Sequence, residues 1–122
     1  MPGTPGATSI QFESIARITG GDPGMMREML DLFLRLAPES LRRMKEQLEL
    51  QAWETLAREA HKFKPSTMYM GMVAVYKNLE LVEEMARGNP DREALSRLIK
   101  DIDAECAFAF PELRLLQDEL TC

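Results

Sequence analysis

The chain has 122 residues, 45% of them hydrophobic and 29% charged, which is enough apolar material for one domain core. A net charge of −5 and a pI near 4.9 argue against a nucleic-acid binder, which needs a concentrated cationic face. No segment approaches the ~20 apolar residues of a bilayer span, so no membrane association is expected. The opening MPGTPGATS has neither a basic start nor an apolar run, so no secretory leader is expected. Two cysteines, Cys106 and Cys122, make no disulfide framework, and the expected compartment is a reducing cytoplasm.

Only 14 residues are Val, Ile or Thr, and Leu, Met, Ala, Glu and Arg dominate, a helical vocabulary. Residues 1–9 read as a flexible tail interrupted by Pro2, Gly3, Pro5 and Gly6. A short helix is expected over Phe12 to Ile18, closed by Gly20-Gly21. Asp22 before Pro23 is a strong helix start, an Asx cap followed by a residue that needs no N–H there. From it Met26, Leu30, Phe33, Ala37, Leu41, Met44 and Leu48 form one stripe, so a long helix is predicted, bent near Pro38.

A second long helix is predicted over about Ala52 to Thr67, and a third over Met72 to Arg87 with Val75, Leu79, Val82 and Ala86 inward. Gly88 ends the third, and Asn89-Pro90 forbids its continuation. The last starts at Asp91 and carries Leu95, Leu98, Ile99, Ile102, Cys106, Leu113, Leu116 and Leu120, with Pro111 expected to kink or divide it. Short connections between four helices imply an all-α, up-down-up-down antiparallel four-helix bundle over residues 10–122, with a short extra N-terminal helix.

The sequence holds a single histidine, His61. At about 100° per residue, the inward face of its helix is marked by Ala52, Leu56, Ala60, Phe63, Thr67 and Met70. The centre of that face lies roughly 150° from His61, so the imidazole is predicted to face outward. Ala57 and Met68 flank it on one side and Pro65 on the other, with Arg58 and Lys64 further out. A nucleophile on small or apolar residues between two cations suits a flat docking surface that receives a phosphoryl group. A neutral imidazole is a competent nucleophile at cellular pH. A cation one turn away stabilises the oxygens of a transferring phosphoryl group.

The segment AHKFKPS, Ala60 to Ser66, resembles the AHxLKGS signature of histidine-containing phosphotransfer (HPt) domains. GGDPGMMREMLDLF, Gly20 to Phe33, looks like the family's GD-initiated first long helix. Gly71 stands ten residues after His61 like the family's glycine, and Val82-Glu83 occupies its Leu-Glu position. The resemblance covers roughly Phe12 to Leu120; its histidine motif is the specific part. It implies that His61 accepts the phosphoryl group, that Lys64 assists transfer, and that the partner is a receiver domain of a response regulator or hybrid kinase. The receiver would supply the aspartate and Mg²⁺, the chain needing no cofactor or metal of its own. The sequence departs from the pattern at Phe63, for Leu, and at Pro65, for Gly. Pro65 removes the N–H that would bond the carbonyl of His61, and its ring pushes against that carbonyl.

Receiver docking is expected at Ala57, Arg58, Pro65 and Met68. A second apolar stripe, Met25, Met29, Leu32 and Leu36, has two open readings: part of the docking surface, or plain bundle packing. Ser66 is expected to bond a carbonyl one turn back, and Cys106 to be a small core residue. Gly20-Gly21-Asp22 lacks the Lys-Ser/Thr ending of a phosphate loop and reads as a turn with a cap.

The leading reading is a monomeric phosphorelay carrier, not a kinase, since no nucleotide-binding domain accompanies the bundle. One alternative is the dimerising histidine domain of a sensor kinase, but such domains place an acid after the histidine, where this chain has Lys62. Another is a receiver-binding module that works without phosphorylation. A di-iron bundle would need two Glu-x-x-His pairs, and Arg58 stands at that spacing before His61.

Overall fold

Helix α1 spans Gly6–Thr19 in a computed structural model that describes residues 6–121, with side chains from 13 to 120. It therefore begins before the expected Phe12, within the stretch expected to be a tail. Gly6 sits at the first helical position, where no N–H would be bonded within the helix in any case. Residues 1–5 lie outside the described residues.

Helix α2, Pro23–Glu49, starts as its sequence dictates. The Asp22 carboxylate accepts hydrogen bonds from the N–H groups of Gly24 at 2.9 Å and Met25 at 3.4 Å. Before it, Gly20 and Gly21 turn the chain with φ of 69° and 82°. The stripe from Met26 to Leu48 is buried along its whole length. The helix runs unbroken through Pro38, which is exposed and so disturbs no core contact.

Helix α3 covers Trp53–Tyr69, two residues beyond its expected end, and also continues through its proline, Pro65. Past its end the N–H of Met72 bonds the carbonyl of Thr67, and that of Gly71 the carbonyl of Met68, both at 2.9 Å. Gly71 has φ 73°, so this is a Schellman close that only a residue without Cβ adopts freely. Helix α4 runs over Val73–Arg87. Gly88 follows it with φ −96°, not in the left-handed conformation of a glycine cap. Helix α5, Arg92–Thr121, continues through Pro111 instead of dividing there.

All the described regular structure is helical. Consecutive long helices pack on one another and α5 closes back on α2, so four helices ring one core. Ile15 of α1 is buried, and α1 packs on α2, α3 and α5. Ser14 donates its hydroxyl hydrogen bond to the Tyr69 carbonyl at 3.0 Å, tying α1 to the end of α3. No helix among the described residues is long and apolar enough to cross a membrane.

Candidate functional site

Helix α3 is packed on two sides, against α2 and α4. Its buried arc is therefore wider than one seam, and the exposed remainder is a narrow crest. His61 stands on that crest with 64% of its side chain exposed. Its inner neighbours Leu56, Ala60, Phe63 and Thr67 are buried, as the helical wheel requires.

The imidazole is held from α4. His61 Nδ1 lies 2.9 Å from Oε2 of Glu83, and Lys64 Nζ donates to Oε1 of the same carboxylate at 3.1 Å. Arg87, one turn further along α4, also donates to Glu83 Oε2. The Glu83 side chain is only 11% exposed and that of Lys64 only 16%. Burial alone would raise the Glu83 pKa. The Lys64 hydrogen bond and charge, with the His61 and Arg87 charges, outweigh it and hold the carboxyl below its ordinary value. Glu83 is thus a carboxylate and accepts only. The hydrogen it accepts from His61 must be on Nδ1, which leaves the lone pair of the neutral ring on the exposed Nε2.

Lys64 differs from the free surface cation its position on the wheel predicts. It reaches across to α4, where Glu83 accepts from it and the Tyr76 ring lies 5.6 Å from Nζ. Arg58 and Lys62 are exposed and make no ion pair among the described residues.

The expected docking residues separate into two groups. Pro65, Arg58 and Met68 are exposed around the crest. Ala57 is fully buried, so the expectation that it faces a partner is wrong: the wide buried arc of α3 takes in its methyl group. Of the second α2 stripe, Met25, Leu32 and Leu36 are about half exposed, and Met29 is partly buried against the core. Met29, Leu32 and Leu36 of that stripe border an apolar groove of about 490 Å³ between α2 and α3, with Phe33 and Phe63 among its buried lining and Pro65 on its α3 side.

Sequence reasoning assigned no role to Glu83 or Arg87, although it placed Glu83 at a family position. The available signal was an acid beside the inward residue Val82, four residues before an arginine: a buried carboxylate needs cations within reach. Ser66 bonds the Phe63 carbonyl at 3.0 Å, as expected. Cys106 is buried, and burial with the nearby Asp103 and Glu105 pushes its thiol up to about 12, as befits an inert core residue.

Among family models, that of the Hpt domain matches residues 28–120 of the chain. Neither the curated proteins nor the solved structures gave a match.

Proposed function

The chain belongs to the Hpt domain family, whose role is histidine phosphotransfer in phosphorelays, and on that premise we propose a specific carrier mechanism. His61 accepts a phosphoryl group from the aspartate of one receiver domain and returns it to that of another. The observation that carries this reading is the shared Glu83 carboxylate, which fixes the imidazole tautomer and aims Nε2 at solvent.

In the forward step the Nε2 lone pair attacks phosphorus. The N–P bond forms, the P–O bond to the aspartate breaks, and the receiver regains its carboxylate. The ring keeps its Nδ1 hydrogen and gains positive charge, which the Glu83 carboxylate stabilises through the existing hydrogen bond. In return, an incoming carboxylate attacks phosphorus and neutral imidazole leaves. Lys64 keeps Glu83 ionised, and through that carboxylate it supports the positive charge that develops on the ring. Mg²⁺ is supplied by the receiver. Docking uses the exposed crest with the neighbouring Met25, Leu32 and Leu36. The ring of adjacent helices and their short turns support an up-down-up-down order, and four helices closing one core support a monomer.

The test uses the full chain. Phosphoramidate or a phosphorylated receiver is expected to leave acid-labile phosphate on His61, which a second receiver then removes. His61→Gln is expected to keep the helical circular dichroism spectrum and lose all labelling, since an exposed side chain contributes little packing. Label on another residue, or labelling by ATP alone, refutes the reading.

A further inference from the structure

The groove between α2 and α3 is a concavity separate from the phosphoryl chemistry. Taking Pro65 as the centre of the exposed α3 crest, Lys62 and Tyr69 lie about 40–60° toward α2, whereas His61 and Met68 lie about 40–60° toward α4. The groove and the Glu83 network therefore occupy opposite flanks of one helix. Phe33, Ala37, Phe63 and Met70 form buried parts of its wall. The Phe33 and Phe63 rings stack with centroids 6.1 Å apart. At the rim, Ile18, Leu32, Leu36 and Tyr69 are each nearly half exposed.

Two features specify an occupant. The α2 residues on the groove run from Met29 to Ala37, a length of about 12 Å at 1.5 Å per residue, which accommodates a medium alkyl chain. The polar lining is equally restrictive. No carboxylate borders the groove, and the Ser66 hydroxyl is already bonded to the Phe63 carbonyl. Lys62 supplies the one formal charge, and it has no ion pair among the described residues.

We propose that this groove binds a single-chain anionic amphiphile, its alkyl tail over Phe33 and Phe63 and its anionic head on Lys62. A cationic head would meet a like charge, and a neutral head would forgo the attraction of the Lys62 ammonium. The ligand is taken as a free molecule rather than from a bilayer. The trough is concave and seats a single chain, whereas a bilayer presents a broad, flat surface. Occupancy covers Leu32, Leu36 and Pro65 but leaves Nε2 of His61 open across the crest. Bound amphiphile therefore opposes receiver docking while sparing the histidine's own reactivity, a consequence that rests on the function proposed above.

The test titrates the intact protein with dodecanoate below its micelle threshold, by calorimetry and amide NMR. Expected are saturable one-to-one binding and shifts centred on the groove-lining residues of α2 and α3. Leu36→Asp, at an exposed rim position, is expected to raise Kd by about tenfold or more, and Lys62→Glu by about fivefold. Dodecyltrimethylammonium is expected to bind Lys62→Glu better than the wild type. Dodecanoate is expected to slow transfer from a phosphorylated receiver while phosphoramidate labelling of His61 continues unchanged. The site is refuted by absence of saturable binding, by indifference to Leu36→Asp, by equal binding of both head groups to the wild type, or by binding only to anionic phosphatidylglycerol vesicles. Binding with unchanged receiver transfer refutes the antagonism and leaves the site standing. Because the calorimetry needs no phosphoryl donor, failure of the carrier function gives a different pattern: binding without any labelling of His61.

Discussion

Glu83 links three side chains, His61, Lys64 and Arg87, and its replacement separates charge from geometry. Glu83→Gln keeps an oxygen that can accept from Nδ1 but removes the negative charge that, in the proposed mechanism, stabilises the phosphorylated ring. Single-turnover transfer is expected to fall about tenfold, corresponding to roughly 1.4 kcal/mol, with little change in receiver affinity. An unchanged rate would leave Glu83 a purely structural residue. Lys64→Ala tests the other side of the network. On the helical wheel Lys64 reads as a surface charge whose loss would barely alter stability. With only 16% of its side chain exposed and a bond to a buried carboxylate, its removal is now expected to cost about 1–2 kcal/mol of stability. Transfer is expected to slow severalfold. Thermal melts and transfer rates on one sample check both effects, and an unaltered melt would show that Arg87 alone satisfies Glu83.

Helix α3 poses its question at Pro65, which lies inside the helix rather than at its end. No N–H exists there for the His61 carbonyl, and a proline in a helix interior costs about 3 kcal/mol relative to alanine. Pro65→Ala is expected to raise the melting temperature, and Pro65→Gly to raise it less, because glycine itself costs about 1 kcal/mol. A lower melting temperature for Pro65→Ala would mean that the proline ring, exposed beside the apolar groove, contributes more by packing than its backbone loses. The three internal prolines, Pro38, Pro65 and Pro111, share one reason for being tolerated: each side chain points away from the core on a long helix. Tertiary packing along the opposite face holds the helix together across the missing bond. Of the two outcomes expected at Pro111, a kink or a division, α5 is not divided for this reason, since Cys106, Ala109, Leu113 and Leu116 bury a continuous stripe through it.

Over the whole molecule, charge is distributed unevenly. The chain carries −5 overall, yet Arg58, Lys62, Lys64 and Arg87 gather near the one histidine, where Glu83 is the carboxylate bound to it. In the function proposed above, such a local excess draws a phosphorylated partner toward the site. Acid is expected to undo this arrangement in a definite window. The folded Glu83 pKa lies below the ordinary value of 4.5, so its contribution to stability is fully present above that value. It is lost as pH falls through the lower, folded value. Thermal melts of wild type and Glu83→Gln from neutral pH to pH 3 are expected to differ most near neutrality, with the gap narrowing steadily as pH falls below about 4.5. A constant gap across that range would show that the Glu83 charge contributes nothing to the fold.

The helices, their core faces and the exposure of His61 were legible in the sequence because each depends on local periodicity. Met26 through Leu48 had to be buried together once α2 formed, and His61 had to oppose Leu56 and Phe63 on the same helix. The Asp22 cap is likewise a matter of neighbouring residues. What a single helix cannot reveal is how many neighbours cover it. Ala57 is lost from the surface because α2 and α4 both pack on α3, and Lys64 turns inward because Glu83 arrives from α4. His61 and Glu83 are 22 residues apart, a separation at which no periodicity fixes relative position. The sequence by itself determined which residue carries the imidazole and that it faces water. Only the packing of α4 against α3 decided which carboxylate holds the ring, which cation is committed to that carboxylate, and that Nε2 is the nitrogen left free.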